Sequence, residues 1–190
     1  MSQHIIACPV LAKELQAVLT TLGLTPEVHL MNYHVHINPD SMEEELKNNI
    51  SKIDKTTESI SLLVGKHCNA RQPISTIAQQ NNASLPNKRN CIELILGKDK
   101  CKELQQNRTA IMTPGWITMM NQSIMDGHWK VEDARLNLGW YDQILLLDTG
   151  IEPIDDETIM NFFELTQVPI DILPVTLAHF QQEILDLLQP

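Results

Sequence analysis

The chain has 190 residues, and its 14 Lys and Arg against 24 Asp and Glu give a formal net charge of −10. With 43% hydrophobic and 20% charged residues, the composition is that of a folded protein and excludes a disordered chain or a fibre. The length, together with the lack of repeats and linkers in the sequence, predicts a single α/β domain over residues 1–190. The acidic charge argues against nucleic acid and anionic membranes as partners, because both are bound mainly through Lys and Arg.

The compartment follows from two further patterns. No stretch of the sequence approaches the roughly 18 apolar residues of a membrane span. Residues 1–11 also lack the basic and then apolar layout of a signal peptide. We therefore expect a cytoplasmic protein with no membrane association, in which cysteines remain reduced thiols rather than forming disulfides. Their positions then have to be interpreted in terms of metal binding or reactivity.

Strand and helix patterns alternate in the first half of the chain. Short apolar runs predict buried strands, and apolar residues spaced along one helical face predict the helices between them. Asn38 is predicted to cap the second helix, with Pro39 at its first position. The elements predicted in chain order are His4–Cys8, Leu11–Leu22, Val28–Val35, Pro39–Ile53, Ile60–Val64 and Ile74–Gln80.

The second half continues the alternation. Its predicted elements are a helix over Cys91–Leu96, strands over Thr109–Met112, Gln143–Leu147 and Pro169–Leu173, and helices over Asp156–Leu165 and Leu177–Leu188. The segment Thr113-Pro114-Gly115-Trp116 is predicted to form a turn whose indole either lines a cleft or anchors the core. Alternating strands and helices predict a three-layer α/β fold, with a mostly parallel, Rossmann-like sheet and helices on both faces.

Three of the cysteines occupy equivalent places in this predicted fold. Cys8 ends the first strand, Cys68 lies just past the third strand, and Cys91 begins a helix after a turn. The carboxyl ends of parallel strands form the edge at which open α/β sheets bind ligands. We therefore predict that the fold brings these three thiols together, although no closely spaced cysteine pair marks the site.

The three thiols predict a metal site, because thiolates bind zinc and form the ligands of iron–sulfur centres. Three thiolates leave a coordination position for water, a substrate or a fourth protein ligand. The candidates for an additional ligand or a pocket residue are Glu14, His36, His67 and Trp116.

The remaining cysteine and most histidines are given structural interpretations. Cys101 lies among charged residues and is interpreted as an incidental thiol on a solvated helix face. His34 and His36 are expected on one face of the second strand, as a metal pair or a polar edge. His4 and His29 are interpreted as isolated structural residues.

Several motifs, taken in order, resemble the DUF1638 family of uncharacterised proteins. In the family pattern an Asp precedes the third cysteine, where this chain has Asn90. The resemblance covers most of the chain from Ile5 to Gly150. It rests on Ile6-Ala7-Cys8 with Glu14, His36-Ile37-Asn38-Pro39, Gly65-Lys66-His67-Cys68, Pro86, Asn90-Cys91-Ile92, Leu96-Gly97 and Thr113-Pro114-Gly115-Trp116.

The resemblance implies a cytoplasmic protein of an anaerobe, from a family often encoded near corrinoid-dependent methyltransferases. It also favours the three-cysteine site, because Cys8, Cys68 and Cys91 match the family motifs and Cys101 does not. The first hypothesis is thus a metal- or metallocofactor-binding protein that holds zinc or an iron–sulfur centre and serves corrinoid-dependent one-carbon methyl transfer.

Two alternatives stay open at this point. In one, the protein is a metal-free enzyme in which Cys68 or Cys91 is a nucleophile and His67 or His36 is its base, which requires a lowered thiol pKa. In the other, a non-catalytic module docks a corrinoid protein or a methyltransferase through its acidic surface. The sequence leaves open whether the protein is an enzyme and how many subunits associate.

Overall fold

The structure is a computed structural model that describes residues 3–36, 39–54, 59–152 and 155–188, without the side chains of His34 and Pro39. Asn38, the predicted cap of the second helix, lies outside the described residues, as does the side chain of His34. The pairing of the imidazoles of His34 and His36 therefore stays a prediction. Among the helices described, none is both long and apolar enough to cross a membrane.

The first part of the chain forms a three-stranded parallel sheet in the order β2-β1-β3. The central strand β1 is apolar and buried, as the sequence predicts. Short 3-10 turns cover Pro9–Leu11 and Tyr33–His36. The strands and helices are β1 (Gln3–Ala7), α1 (Ala12–Leu22), β2 (Glu27–Leu30), α2 (Pro39–Ser51), β3 (Ser59–Leu63), α3 (Ile74–Gln80), α4 (Cys91–Leu96) and α5 (Lys98–Leu104).

The second part forms another three-stranded parallel sheet, in the order β4-β5-β6. Its elements are β4 (Thr109–Met112), α6 (Pro114–Met125), α7 (Val131–Leu138), β5 (Gln143–Asp148), α8 (Asp156–Thr166), β6 (Ile170–Pro174) and α9 (Ala178–Leu188). Two parallel sheets with helices confirm the predicted α/β class and are consistent with an open three-layer fold. The difference from expectation is that the six strands divide into two sheets.

The last helix, α9, follows the second sheet in the chain but packs against elements of the first part. The Ser61 hydroxyl, on β3, donates to the carbonyl of Leu187 at 3.4 Å, and the Gln3 amide donates to the carbonyl of Leu188 at 2.7 Å. Helix α9 also packs on α4 and α1. Buried side chains of both sheets accordingly belong to one hydrophobic cluster, whose removal from water is the main favourable term in folding.

The second strand is shorter than predicted, so the expected placement of His36 on a strand is wrong. Among the described strands, β2 pairs with β1 alone, and their register ends at Ala7 and Leu30. After Cys8 the chain turns into the 3-10 segment that begins at Pro9, and proline has no backbone N–H to donate to a neighbouring strand. Strand β1 therefore ends before β2 can pair further. The chain instead turns into the 3-10 segment that carries His36.

The predicted turn after β4 is also different, because Pro114 and Gly115 begin helix α6 instead of breaking the chain. Proline is well suited to the first position of a helix, where its missing N–H needs no partner. Neither α6 nor α7 is predicted by the sequence patterns, since the apolar residues of α6 lie around much of its surface and α7 is short.

The start of α6 lies directly against the segment that follows β1. The Thr113 hydroxyl donates to the carbonyl of Val10 at 3.2 Å. A Cβ atom on residue 115 would lie 2.2 Å from the same carbonyl oxygen. Glycine is therefore required at this position by close backbone approach, and this contact fixes Trp116 beside the residues after β1.

We expect the substitution Gly115→Ala to destabilise the protein by about 1–3 kcal/mol, because the new methyl group forces the two backbones apart. The substitution Asn121→Ala, at an exposed position of the same helix, should change stability by less than about 0.5 kcal/mol. Chemical denaturation of both variants measures the difference. Equal stabilities would show that the contact at Val10 is not tight.

Candidate metal site

Cys8 and His36 meet where the first two strands end. Cys8 directly follows β1, and its buried thiol lies with Sγ 2.9 Å from Nε2 of His36. His36 reaches this position from the 3-10 turn after β2. The carboxyl ends of two neighbouring strands thus contribute a sulfur and an imidazole nitrogen to one place, although His36 comes from a turn and not from a strand.

Cys68 is brought towards Cys91 by a paired loop. The backbone N–H of Lys66 donates to the carbonyl of Lys88 at 2.8 Å, and the N–H of His67 donates to the carbonyl of Arg89 at 2.9 Å. Gly65 permits this approach, because a Cβ atom there would lie 2.3 Å from the Arg89 oxygen. The loop after β3 therefore runs beside the turn that precedes α4.

Cys91 occupies the first turn of α4, as predicted. The side chain of Asn90 caps this helix by accepting a hydrogen bond from the N–H of Glu93 at 3.0 Å. Asn and Asp cap helices about equally well. The Asp that the family resemblance implies at this position would therefore begin α4 as well as Asn90 does.

Trp116 connects Cys91 with His36. Its indole N–H lies near the Cys91 thiol and partly offsets the rise in the pKa of that thiol. The indole ring also packs on the His36 ring, with centroids 4.8 Å apart and planes tilted by 44°. Trp116 therefore lies between two candidate ligands, Cys91 and His36.

The three thiols influence one another electrostatically. Burial raises the pKa of Cys8 well above its ordinary value, and negative charge on Cys91 or Cys68 raises it further. Burial, assisted by Cys68, raises the pKa of Cys91 to about 12. Burial also raises the pKa of Cys68. All three therefore hold protons at neutral pH unless a positive charge replaces those protons.

His36 is neutral in the same surroundings, because burial lowers the pKa of its imidazole to about 4. A neutral imidazole has a nitrogen lone pair available to a metal or to a thiol proton. Cys8 and His36 therefore form a neutral thiol–imidazole contact in the metal-free protein.

Among the described residues, no three donor atoms of Cys8, His36, Cys68 and Cys91 lie within 4.8 Å of one another. In the described parts of the chain, the set of three His, Cys, Asp or Glu ligand atoms within 4.8 Å of one another is that of His4, Glu27 and His29. The earlier interpretation of His4 and His29 as isolated residues is therefore wrong. The register of β1 with β2 places them together, and strand pairing is not visible in a linear sequence.

The other predicted residues lie in different surroundings. Glu14 is buried, accepts a hydrogen bond from the Thr149 hydroxyl at 3.3 Å, and has a pKa raised mainly by burial. The His67 side chain is exposed. Cys101 is fully buried, so its expected place on a solvated face is wrong, because its side of α5 packs into the core.

A cavity of about 230 Å³ lies beside the group and is bordered by Cys91, Trp116, Met112 and Tyr141, among others. It follows the open edge of β4, which is an outer strand of its sheet. A small molecule in this cavity would touch the Cys91 side of the cysteine group.

The fold and this group define a parallel α/β protein with a cysteine- and histidine-rich junction at the ends of its first strands. The chain belongs to the family described as "Protein of unknown function (DUF1638)", whose model matches residues 30–184. The match begins after Cys8 and Glu14, so the family model itself covers Cys68, Cys91, His36, His67 and Trp116. No curated protein and no solved structure matches the chain.

The raised thiol pKa values predict slow alkylation of the metal-free protein near pH 7.5, slower at every cysteine than for a free thiol. Cys68 should react first, since it is only partly buried, while Cys8 and Cys91 should react slowly. The labelling rates of Cys8 and Cys91 should continue to rise above pH 9, where a free thiol is already ionised, because their own pKa values are higher. Iodoacetamide labelling with peptide mass spectrometry measures each rate. Fast labelling of Cys8 or Cys91 at neutral pH would show that the pKa values of these thiols are not raised.

Proposed function

We propose that this protein binds one zinc ion through the thiolates of Cys8, Cys68 and Cys91, with His36 as the fourth ligand. The observation that supports it most strongly is the 2.9 Å contact of the Cys8 sulfur with His36 Nε2, beside two further thiols. Three cysteines and one histidine form a common zinc ligand set.

The contact distance favours a single ion over a cluster. Zn–S bonds of about 2.3 Å and Zn–N bonds of about 2.0–2.1 Å in tetrahedral geometry place the two donor atoms about 3.5 Å apart. Cys8 and His36 therefore need to separate by only roughly half an ångström to bind one zinc ion. No three of the four donor atoms lie within 4.8 Å of one another without metal, so zinc binding would require the side chains of Cys68 and Cys91 to move closer to Cys8 and His36.

Zinc also resolves the electrostatic problem of this site. Burial raises the pKa of all three thiols, and negative charge on neighbouring thiols raises the pKa values of Cys8 and Cys91 further, so the three do not ionise together without a nearby cation. A divalent ion stabilises the thiolate forms and releases their protons. His36 is already neutral, so it can bind the ion without losing a proton.

Four protein ligands form the closed type of zinc site, so a reactive role requires an incoming ligand to displace His36 or to add as a fifth ligand. An incoming thiol or water bound in this way would be held in its deprotonated form by the zinc ion. The cavity bordered by Cys91 and Trp116 is large enough for a small substrate. The family resemblance adds the reaction class, corrinoid-dependent one-carbon methyl transfer, with a corrinoid protein or methyltransferase as partner. This part of the proposal rests on the resemblance alone.

The metal-free nucleophile hypothesis receives less support. It requires a lowered thiol pKa, whereas the pKa values of Cys68 and Cys91 are raised by burial. Of its two candidate bases, His67 is exposed, and His36 contacts Cys8, which is not one of the candidate nucleophiles.

We expect metal-free protein, prepared without oxygen, to bind Zn²⁺ tightly and Co²⁺ with thiolate charge-transfer absorption. The substitutions Cys8→Ala, Cys91→Ala and His36→Gln should each weaken this site by roughly 100-fold or more, since even outer-shell changes cost 10–100-fold. Competition with a chromophoric chelator measures the affinities.

Cys101→Ala is the matched control, because it removes a buried cysteine outside the proposed ligand set and should leave the affinity unchanged. Equal zinc binding by all four variants would reject the proposal. If the purified protein contains iron and sulfide and absorbs broadly in the visible range, the site holds an iron–sulfur centre and the zinc proposal is wrong.

A further inference from the structure

A second cluster of metal-binding side chains lies on the first sheet, away from the cysteines. His4 and Glu27 are direct partners in the parallel register of β1 and β2, and His29 is two residues beyond Glu27. Because side chains alternate along a strand with period two, all three lie on the same face. His4 and Cys8 are four residues apart along the chain, which is about 13 Å in an extended strand.

Their donor atoms face one another. His4 Nδ1 lies 3.0 Å from His29 Nε2 and 3.7 Å from one carboxylate oxygen of Glu27. The other carboxylate oxygen lies 3.5 Å from His29 Nε2. Bonds of about 2.1 Å at angles of 90–109° would place the donors of one ion about 3.0–3.4 Å apart. The cluster therefore needs shifts of only a few tenths of an ångström to hold an ion.

We propose that His4, Glu27 and His29 bind a divalent first-row transition-metal ion, such as Zn²⁺. Two imidazoles and one carboxylate suit zinc or Fe²⁺, whereas Mg²⁺ and Ca²⁺ prefer oxygen ligands alone. His4 is buried at 5% exposure, which fixes one ligand on the central strand.

The outer side of the cluster faces solvent, because the Glu27 side chain is 65% exposed. Three protein ligands with an open outer side leave coordination positions for water or a small ligand. This site carries no thiolate, so it differs chemically from the cysteine site and can be tested separately.

The competing explanation is a hydrogen-bonded imidazole pair. The two rings are stacked, with centroids 5.3 Å apart and planes 19° from parallel, and one N–H between them would account for the 3.0 Å contact. In that case Glu27 would act only as an exposed ion-pair partner, which contributes little to stability. Metal binding distinguishes the two explanations.

The test measures zinc stoichiometry and affinity for the full-length chain and for the variants His29→Gln and Glu27→Gln. The control is His128→Gln, which changes an exposed histidine after α6. We expect two zinc ions for the unchanged chain and the control. Each ligand variant should bind one zinc ion at most, or bind the second at least tenfold more weakly. His29→Gln should retain the thiolate charge-transfer band of Co²⁺.

The two proposals fail in different ways. If only the cysteine site is wrong, the unchanged chain binds one zinc ion and His29→Gln binds none. If only the strand cluster is wrong, His29→Gln and Glu27→Gln bind zinc as the unchanged chain and the His128→Gln control do. That second result would assign the cluster to a hydrogen-bonded imidazole pair. Circular dichroism of each variant checks that the fold is retained.

Discussion

The close contact between the start of α6 and the carbonyl of Val10 determines the geometry of the cysteine site. The two backbones meet there with space only for glycine at position 115, and the Thr113 hydroxyl bonds to the same carbonyl. This contact positions Trp116. Its ring packs on the His36 ring, and its indole N–H lies near the Cys91 thiol. A helix that belongs with the second sheet thus organises the residues that follow the strands of the first sheet.

The second constraint is electrostatic. Burial removes the water that would stabilise a thiolate, so the pKa values of Cys8, Cys68 and Cys91 all rise, and repulsion from a neighbouring thiolate raises those of Cys8 and Cys91 further. Such a group is inert while it is protonated and becomes a strong ligand set when a cation replaces the protons. The same arrangement therefore predicts slow thiol chemistry without metal and, under the proposed function, tight binding of a metal ion.

Much of the fold was predictable, because apolar periodicity marks β1, β3, β5 and most helices within a residue or two. Parallel topology then placed Cys8, Cys68 and Cys91 near one edge. The end of β2 was missed because it depends on where its partner β1 stops. Helix α6 was missed because Pro114 and Gly115 serve equally well as turn residues. The cluster of His4, Glu27 and His29 depends on strand register, which composition and spacing do not contain.

The central claim, that sulfur ligands from three distant segments bind one ion, is tested most directly by X-ray absorption at the zinc edge. The suitable sample is the His29→Gln variant loaded with one equivalent of Zn²⁺, since it lacks the strand cluster. The account predicts a shell dominated by sulfur at about 2.3 Å, with one nitrogen at about 2.0–2.1 Å. A shell of nitrogen and oxygen alone would contradict it.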